Sequence, residues 1–77
     1  MGLRFEWDAA KADANLRKHN VSFDEATTVF RDALALIFVD EDHSHDEVRE
    51  IIIGHSIVRR LLLISFTERT RHTIRII

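Results

Sequence analysis

Past its first few residues the hydrophobic pattern of this chain changes from helical to strand spacing near residue 33, and that change restricts the folds open to it. Before it, apolar residues recur three and four apart: Ala9, Ala12 and Leu16, then Phe23, Ala26, Val29 and Phe30. Such spacing lines one face of a helix. After it come short apolar runs with strand character at residues 34–39, 47–55, 60–67 and 73–77, separated by polar turns. An earlier alternating run, residues 3–7, reads as a short half-buried strand. The expectation is an α+β fold: two N-terminal helices packed on an antiparallel sheet. With 77 residues the chain forms one domain, residues 1–77, too short for a large nucleotide-binding fold.

Local signals sharpen this outline. Asp8 suits a helix N-cap, residues 9–19 are alanine-rich without β-branched side chains, and Asn20 suits a left-handed stop. Ser22 and Glu25 have capping-box spacing, flanked by Val21 and Ala26 as a hydrophobic staple. The second helix should end near Arg31. Residues 34–39 are apolar on both faces, as in a strand covered on both sides or one at an interface. Residues 73–77 should form a sheet-edge strand, where unpaired backbone invites a second copy and a two-fold dimer.

Composition excludes several classes. Without cysteine there is no disulfide scaffold, thiolate zinc site or cysteine nucleophile, which fits the cytoplasm. The apolar runs, Leu61 to Ile64 and residues 33–39, are far short of a membrane span, and the first residues lack a signal-peptide core. The net charge of −2 conceals a split. Residues 1–57 hold six Lys/Arg against twelve Asp/Glu, whereas residues 58–77 hold five arginines against Glu68 alone. A local arginine cluster of this kind can hold phosphates even on a nearly neutral protein.

If such a cluster serves phosphodiester cleavage by an adjacent hydroxyl, the reaction needs a base, cations for the phosphorane charge and an acid for the leaving oxygen, but no metal. Arg49, Arg60 and Arg75 lie on three neighbouring predicted strands and would form a phosphate clamp if they faced one side. The plainer reading is that they are solvated strand residues paired with Glu47, Glu50 or Glu68. His19, ending the first helix near Lys18, is the best proton-transfer candidate; its plainer role is to complement the helix dipole. Lys11 and Lys18 read first as a solvated helix face, and Trp7 as a core anchor. The acidic segment 40–47 lacks regular metal-ligand spacing, would repel a phosphate-bearing ligand, and is expected away from the active face.

The order Phe5-x-Trp7-Asp8-x-x-Lys11-x-x-x-Asn15-x-x-Lys18-His19-x-Val21-x-Phe23 resembles the opening signature of the BrnT family of type II toxin–antitoxin toxins. The resemblance continues through Ala26-x-x-Val29-Phe30-x-Asp32, Asp42-His43-Ser44, Glu47-x-Arg49, Gly54, Arg60-x-Leu62, Phe66-Thr67-Glu68-Arg69 and Ile74-Arg75-Ile76-Ile77. It implies a RelE-like fold, a metal-independent endoribonuclease that inhibits translation, no cofactor, and a BrnA-like ribbon-helix-helix antitoxin through which alone DNA is contacted. It favours Arg60 and Arg75, with His19, as catalytic groups, and Lys11, Lys18, Arg49 and Arg69 as RNA-binding. Two departures stand out. Arg59 sits where the family often has glycine, and the usual basic segment after the last strand is not in this sequence. The second departure supports an alternative: an inactive or truncated relative acting as a dimerisation or antitoxin-binding module.

Overall fold

The computed structural model describes residues 2–77; Met1, the first residue of the expected domain 1–77, lies outside them. Asp8 caps the first helix, α1 (Ala9–His19), its Oδ1 accepting from the Ala10 and Lys11 amides at 2.8 and 3.3 Å. Asn20 ends it in the left-handed region (φ 56°), its N–H donating to the Leu16 carbonyl at 2.9 Å. The Asn15 amide donates to the Val21 carbonyl at 3.0 Å and fixes the corner. Ser22 then caps α2 (Phe23–Thr28), its Oγ accepting from the Glu25 N–H at 3.0 Å. The expected box is only half made, because the Glu25 carboxylate turns away to Ser56 and Arg60. The second helix reaches Arg31 as expected, but tightens into a 3₁₀ turn over Val29–Arg31.

Five strands follow the order β1-β5-β4-β3-β2: β1 Arg4–Glu6, β2 Leu36–Val39, β3 Glu50–His55, β4 Leu61–Thr70 and β5 Thr73–Ile76. The expected α+β class holds, with two corrections. The helices follow β1 rather than opening the chain. The sheet is mixed: β2, β3, β4 and β5 pair antiparallel, but β1 pairs parallel with β5, aligning Phe5 with Ile74 and Glu6 with Arg75. The last strand is therefore interior, and Ile74 and Ile76 are buried. The expected C-terminal edge strand does not exist, because β1 covers it. Periodicity marks a strand but not which distant strand completes it.

Both helices and the 3₁₀ turn lie on one face of the sheet. Phe23, Ala26 and Val29 pack there against Ile52, Ile64, Phe66, Ile74 and Ile76. Phe30 bridges Phe5 and Phe66, with ring centroids 5.2 and 5.0 Å apart, and Trp7 meets Phe23 edge-on at 5.8 Å. Trp7 is thus the core anchor expected. The helix α1 is held lightly: none of its residues is buried, Ala12 packs on the core, and Leu16 is 45% exposed. Among the described residues no helix lies on the opposite sheet face. There Leu36 and Phe38 of β2, Ile51 and Ile53 of β3, and Leu61 and Leu63 of β4 share one side by register. All four residues of β2 are exposed, so this apolar strand is an uncovered edge. Among the described residues no helix is long and apolar enough to cross a membrane.

Gly54 lies tightly against the 3₁₀ turn and the loop that follows it. A Cβ there would meet Ala35 Cβ at 2.8 Å, Asp32 Oδ2 at 3.0 Å and Val29 Cγ1 at 3.1 Å. Gly54→Ala is expected to destabilise the fold by roughly 1–3 kcal/mol through overpacking. Urea unfolding measures this; a midpoint equal to that of the parent chain would show that the neighbours yield freely.

Candidate functional site

The first polar cluster ties the start of β4 to the helices. Ser56, itself buried, donates to Glu25 Oε2 at 2.7 Å. Arg60 Nε donates to the same oxygen at 3.0 Å, and its Nη2 donates to Glu25 Oε1 and, at 2.9 Å, to the Asn20 carbonyl. One side chain thus forks onto a carboxylate and closes the C-terminal end of α1. The turn before it explains Arg59. That residue has φ 65°, and its N–H donates to the Ser56 carbonyl at 2.8 Å. Glycine suits such a conformation, and arginine occupies it here at some conformational cost.

The second cluster lies on the other face. Glu6 stands opposite Arg75 across β1 and β5; Arg75 Nη1 donates to Glu6 Oε2 at 2.9 Å, and Arg69 Nη1 lies 3.8 Å from the same oxygen. Arg4, two residues from Glu6 on β1, shares its side of the strand. Arg4, Glu6, Arg69 and Thr73 border a shallow depression. The register continues to Arg49, whose carbonyl accepts from the Asp40 N–H at 2.8 Å beyond the last β2–β3 pair.

These placements divide the candidate residues. Arg60 belongs to the helix-covered side of β4 and Arg75 to the uncovered side of β5. Arg75 pairs with Thr67, seven residues along β4 from Arg60, or about 23 Å of strand. Arg60 and Arg75 therefore do not converge on one phosphodiester, and the three-strand clamp is not formed. Strand identity was readable in the sequence; the face was not, because residues 60 and 75 differ in parity once the register is set. His19, Lys11 and Lys18 are exposed on α1, in the helical layer. Of these, His19 lines a groove beside Leu61 to Ser65. Arg69 joins Arg75, as the late arginine cluster suggested. Sequence reasoning missed Glu6, whose only signal was its place in an alternating strand.

The acidic segment is not remote from the arginines. It forms a 3₁₀ turn (Glu41–His43), with His43 Nδ1 2.8 Å from Asp40 Oδ2. The Arg49 N–H donates to Ser44 Oγ at 2.9 Å, and the buried Thr67 hydroxyl donates to the Val48 carbonyl at 2.7 Å. The loop thereby borders the arginine face on its β3 side. Among the described residues, no three His, Asp or Glu side chains gather where they could hold a metal ion.

Together these features define a small α+β domain with helices on one sheet face and arginines gathered at one end of the other. The chain matches the family described as ribonuclease toxin, BrnT, of type II toxin-antitoxin system, over residues 7–77, and it belongs to that family. A search among curated proteins gives no match.

Hydrogen bonds from Arg60 and then Ser56 hold the Glu25 carboxyl below the usual carboxylate range. The His55 and Leu34 amides do the same for Asp32, at 2.8 and 3.0 Å. A carboxyl whose folded pKa is depressed contributes stability above its unfolded pKa, and that stability is lost as pH falls through the folded value. Glu25→Gln is therefore expected to be less stable than the parent at pH 7. The difference should shrink from about pH 5 downward as the parent's Glu25 protonates. Urea midpoints at pH 7 and pH 3 measure this; an undiminished gap at pH 3 would mean that the carboxylate charge is not what matters.

Proposed function

We propose that this toxin is a metal-independent endoribonuclease that inhibits translation, with its reaction centre at the arginine end of the uncovered sheet face. The observation carrying this reading is the meeting of Arg75 and Arg69 on the single carboxylate of Glu6. Each guanidinium has five N–H donors in a fixed fork, so both retain donors for phosphate oxygens beyond Glu6. Glu6 accepts the 2′-hydroxyl proton as that oxygen attacks phosphorus. Arg75 and Arg69 neutralise the phosphorane charge, the role a metal ion would otherwise fill. The P–O5′ bond breaks, and a proton goes to the leaving oxygen. His72 is the donor in this reading: it is exposed in the β4–β5 turn, and its carbonyl accepts from the Arg4 N–H at 2.6 Å. The products are a 2′,3′-cyclic phosphate and a 5′-hydroxyl.

Arg4 and Arg49 extend the phosphate contacts across the strands, a span of about 14 Å from β3 to β1. Arg60 holds the helical layer through Glu25, and it stands outside the reaction with His19, Lys11 and Lys18. The fold is read with the family as RelE-like, the partner as a BrnA-like antitoxin that makes any DNA contact, and the location as cytoplasmic. The exposed apolar β2 edge supports self-association.

Purified chain incubated with RNA in EDTA is expected to leave cyclic phosphate ends. Arg75→Ala and Glu6→Gln should each slow cleavage by roughly a hundred-fold or more while keeping the parent urea midpoint. Arg60→Ala should lower that midpoint. Full activity in Arg75→Ala would remove the reaction centre from this face. A parent chain that binds antitoxin but never cleaves RNA would favour the binding-module reading.

A further inference from the structure

The sheet face that carries the arginines turns apolar beside them. On it Glu6 aligns with Arg75 and Arg75 with Thr67; one pair further along, Ser65 aligns with Ile51 and Ile51 with Phe38. Of the five phenylalanines and one tryptophan, all among the described residues, only Phe38 is exposed, at 46%. The others are buried or half-buried on the helix-covered side. Phe38 stands on β2, the edge strand at the opposite end of the sheet from β1. A ring held on a strand with one face open to solvent is available to a flat ligand.

Arg49 lies diagonally across from that ring. It precedes Ile51, the pair partner of Phe38, by two residues, so both side chains rise from one side about 7–8 Å apart. Its backbone is held at both ends, the N–H by Ser44 Oγ at 2.9 Å and the carbonyl by the Asp40 N–H at 2.8 Å. Its guanidinium, unlike those of Arg60, Arg69 and Arg75, makes no ion pair among the described residues. Asp40, on the same side of β2, meets His43 Nδ1 at 2.8 Å instead. Asp46 and Glu47 border Arg49 on its loop side, so an anion approaches it from the sheet face, where Phe38 lies. An unpaired cation beside an open ring matches one kind of ligand: a charged phosphate joined to a flat base.

We propose that Phe38 is a stacking platform for an unpaired base of the RNA, with Arg49 on the phosphate of the same nucleotide. The inference rests on the reading of the arginine face as the RNA site. Arg75 lies three strands from Phe38, about 14 Å across the sheet, a distance that a few extended nucleotides cover. The platform therefore holds the substrate away from the bond that is cut. It also names the substrate class. In a duplex each base is stacked on its neighbours, so a ring can take one only from a single-stranded stretch. Every base has a π-face, so Phe38 supplies affinity with little sequence preference.

Fluorescence anisotropy on the full chain tests it, with labelled 2′-O-methyl oligouridine as probe; this strand lacks the attacking hydroxyl and is not cleaved. Phe38→Leu keeps an apolar side chain without a ring and is expected to weaken binding about five-fold or more. A strand of abasic residues, equally charged but with nothing to stack, should bind the parent and Phe38→Leu alike. Arg49→Gln should lower the slope of log K against log salt by about 0.7, and Phe38→Leu should leave it unchanged. In Phe38→Trp the new indole should be quenched by oligouridine and not by the abasic strand, which keeps the test decisive if Phe38→Leu does not fold. Parent-like affinity in Phe38→Leu with weakened binding in Arg69→Ala would overturn the platform and leave the arginine face standing. Parent-like affinity in both would remove the two together. A fall in sedimenting mass in Phe38→Leu without a change in RNA affinity would assign the ring to a contact between copies, and would equally overturn the proposal.

Discussion

The parallel pairing of β1 with β5 is the contact on which the rest of the molecule depends. It joins residues 69 positions apart, Glu6 and Arg75, and converts the last strand from an edge into an interior one. Phe5 then covers Ile74 from the side and reaches Phe30, which reaches Phe66. The same register sets Glu6 against Arg75 on the opposite face. Core and arginine cluster are two faces of one pairing, and a slip of one residue would exchange their side chains.

The helical layer is secured differently. With no buried residue, α1 gains little from apolar packing and depends on its caps and on Arg60 reaching the Asn20 carbonyl. Glu25 is the common acceptor for Arg60 and Ser56, so one carboxylate links α2, the β3–β4 turn and the end of α1. Such a charged, hydrogen-bonded hub is strong when every partner is present and costly when one is missing. This explains why the capping box is incomplete: Glu25 makes tertiary contacts instead of a local one.

Local chemistry was legible in the sequence. Asp8, Asn20 and Ser22 cap as their side chains dictate, and the apolar periods identified both helices and the strands. The family was legible too, from motif residues spread along the chain. What depended on distant pairing was not. Nothing in Leu3 to Trp7 says that this strand lies parallel to the last one, and without that fact the last strand looks like an exposed edge. Arg60 and Arg75 looked equivalent because each is an arginine in an alternating strand. Register puts one beneath the helices and the other on the open face. Glu6 was overlooked for the same reason, since its partners come from the far end of the sequence.

That distant pairing also imposes an order in time. Closing a loop of nearly seventy residues carries an entropic cost that local hairpins avoid, so β3, β4 and the helices can organise before β1 finds its place. On the ribosome the constraint is stricter, because β1 emerges well before β5, the strand it pairs with. Until then Glu6 has no arginines and Ile74 no cover. A nascent copy of this toxin therefore lacks its arginine cluster until β5 has been made, and acquires it together with the cover over Ile74.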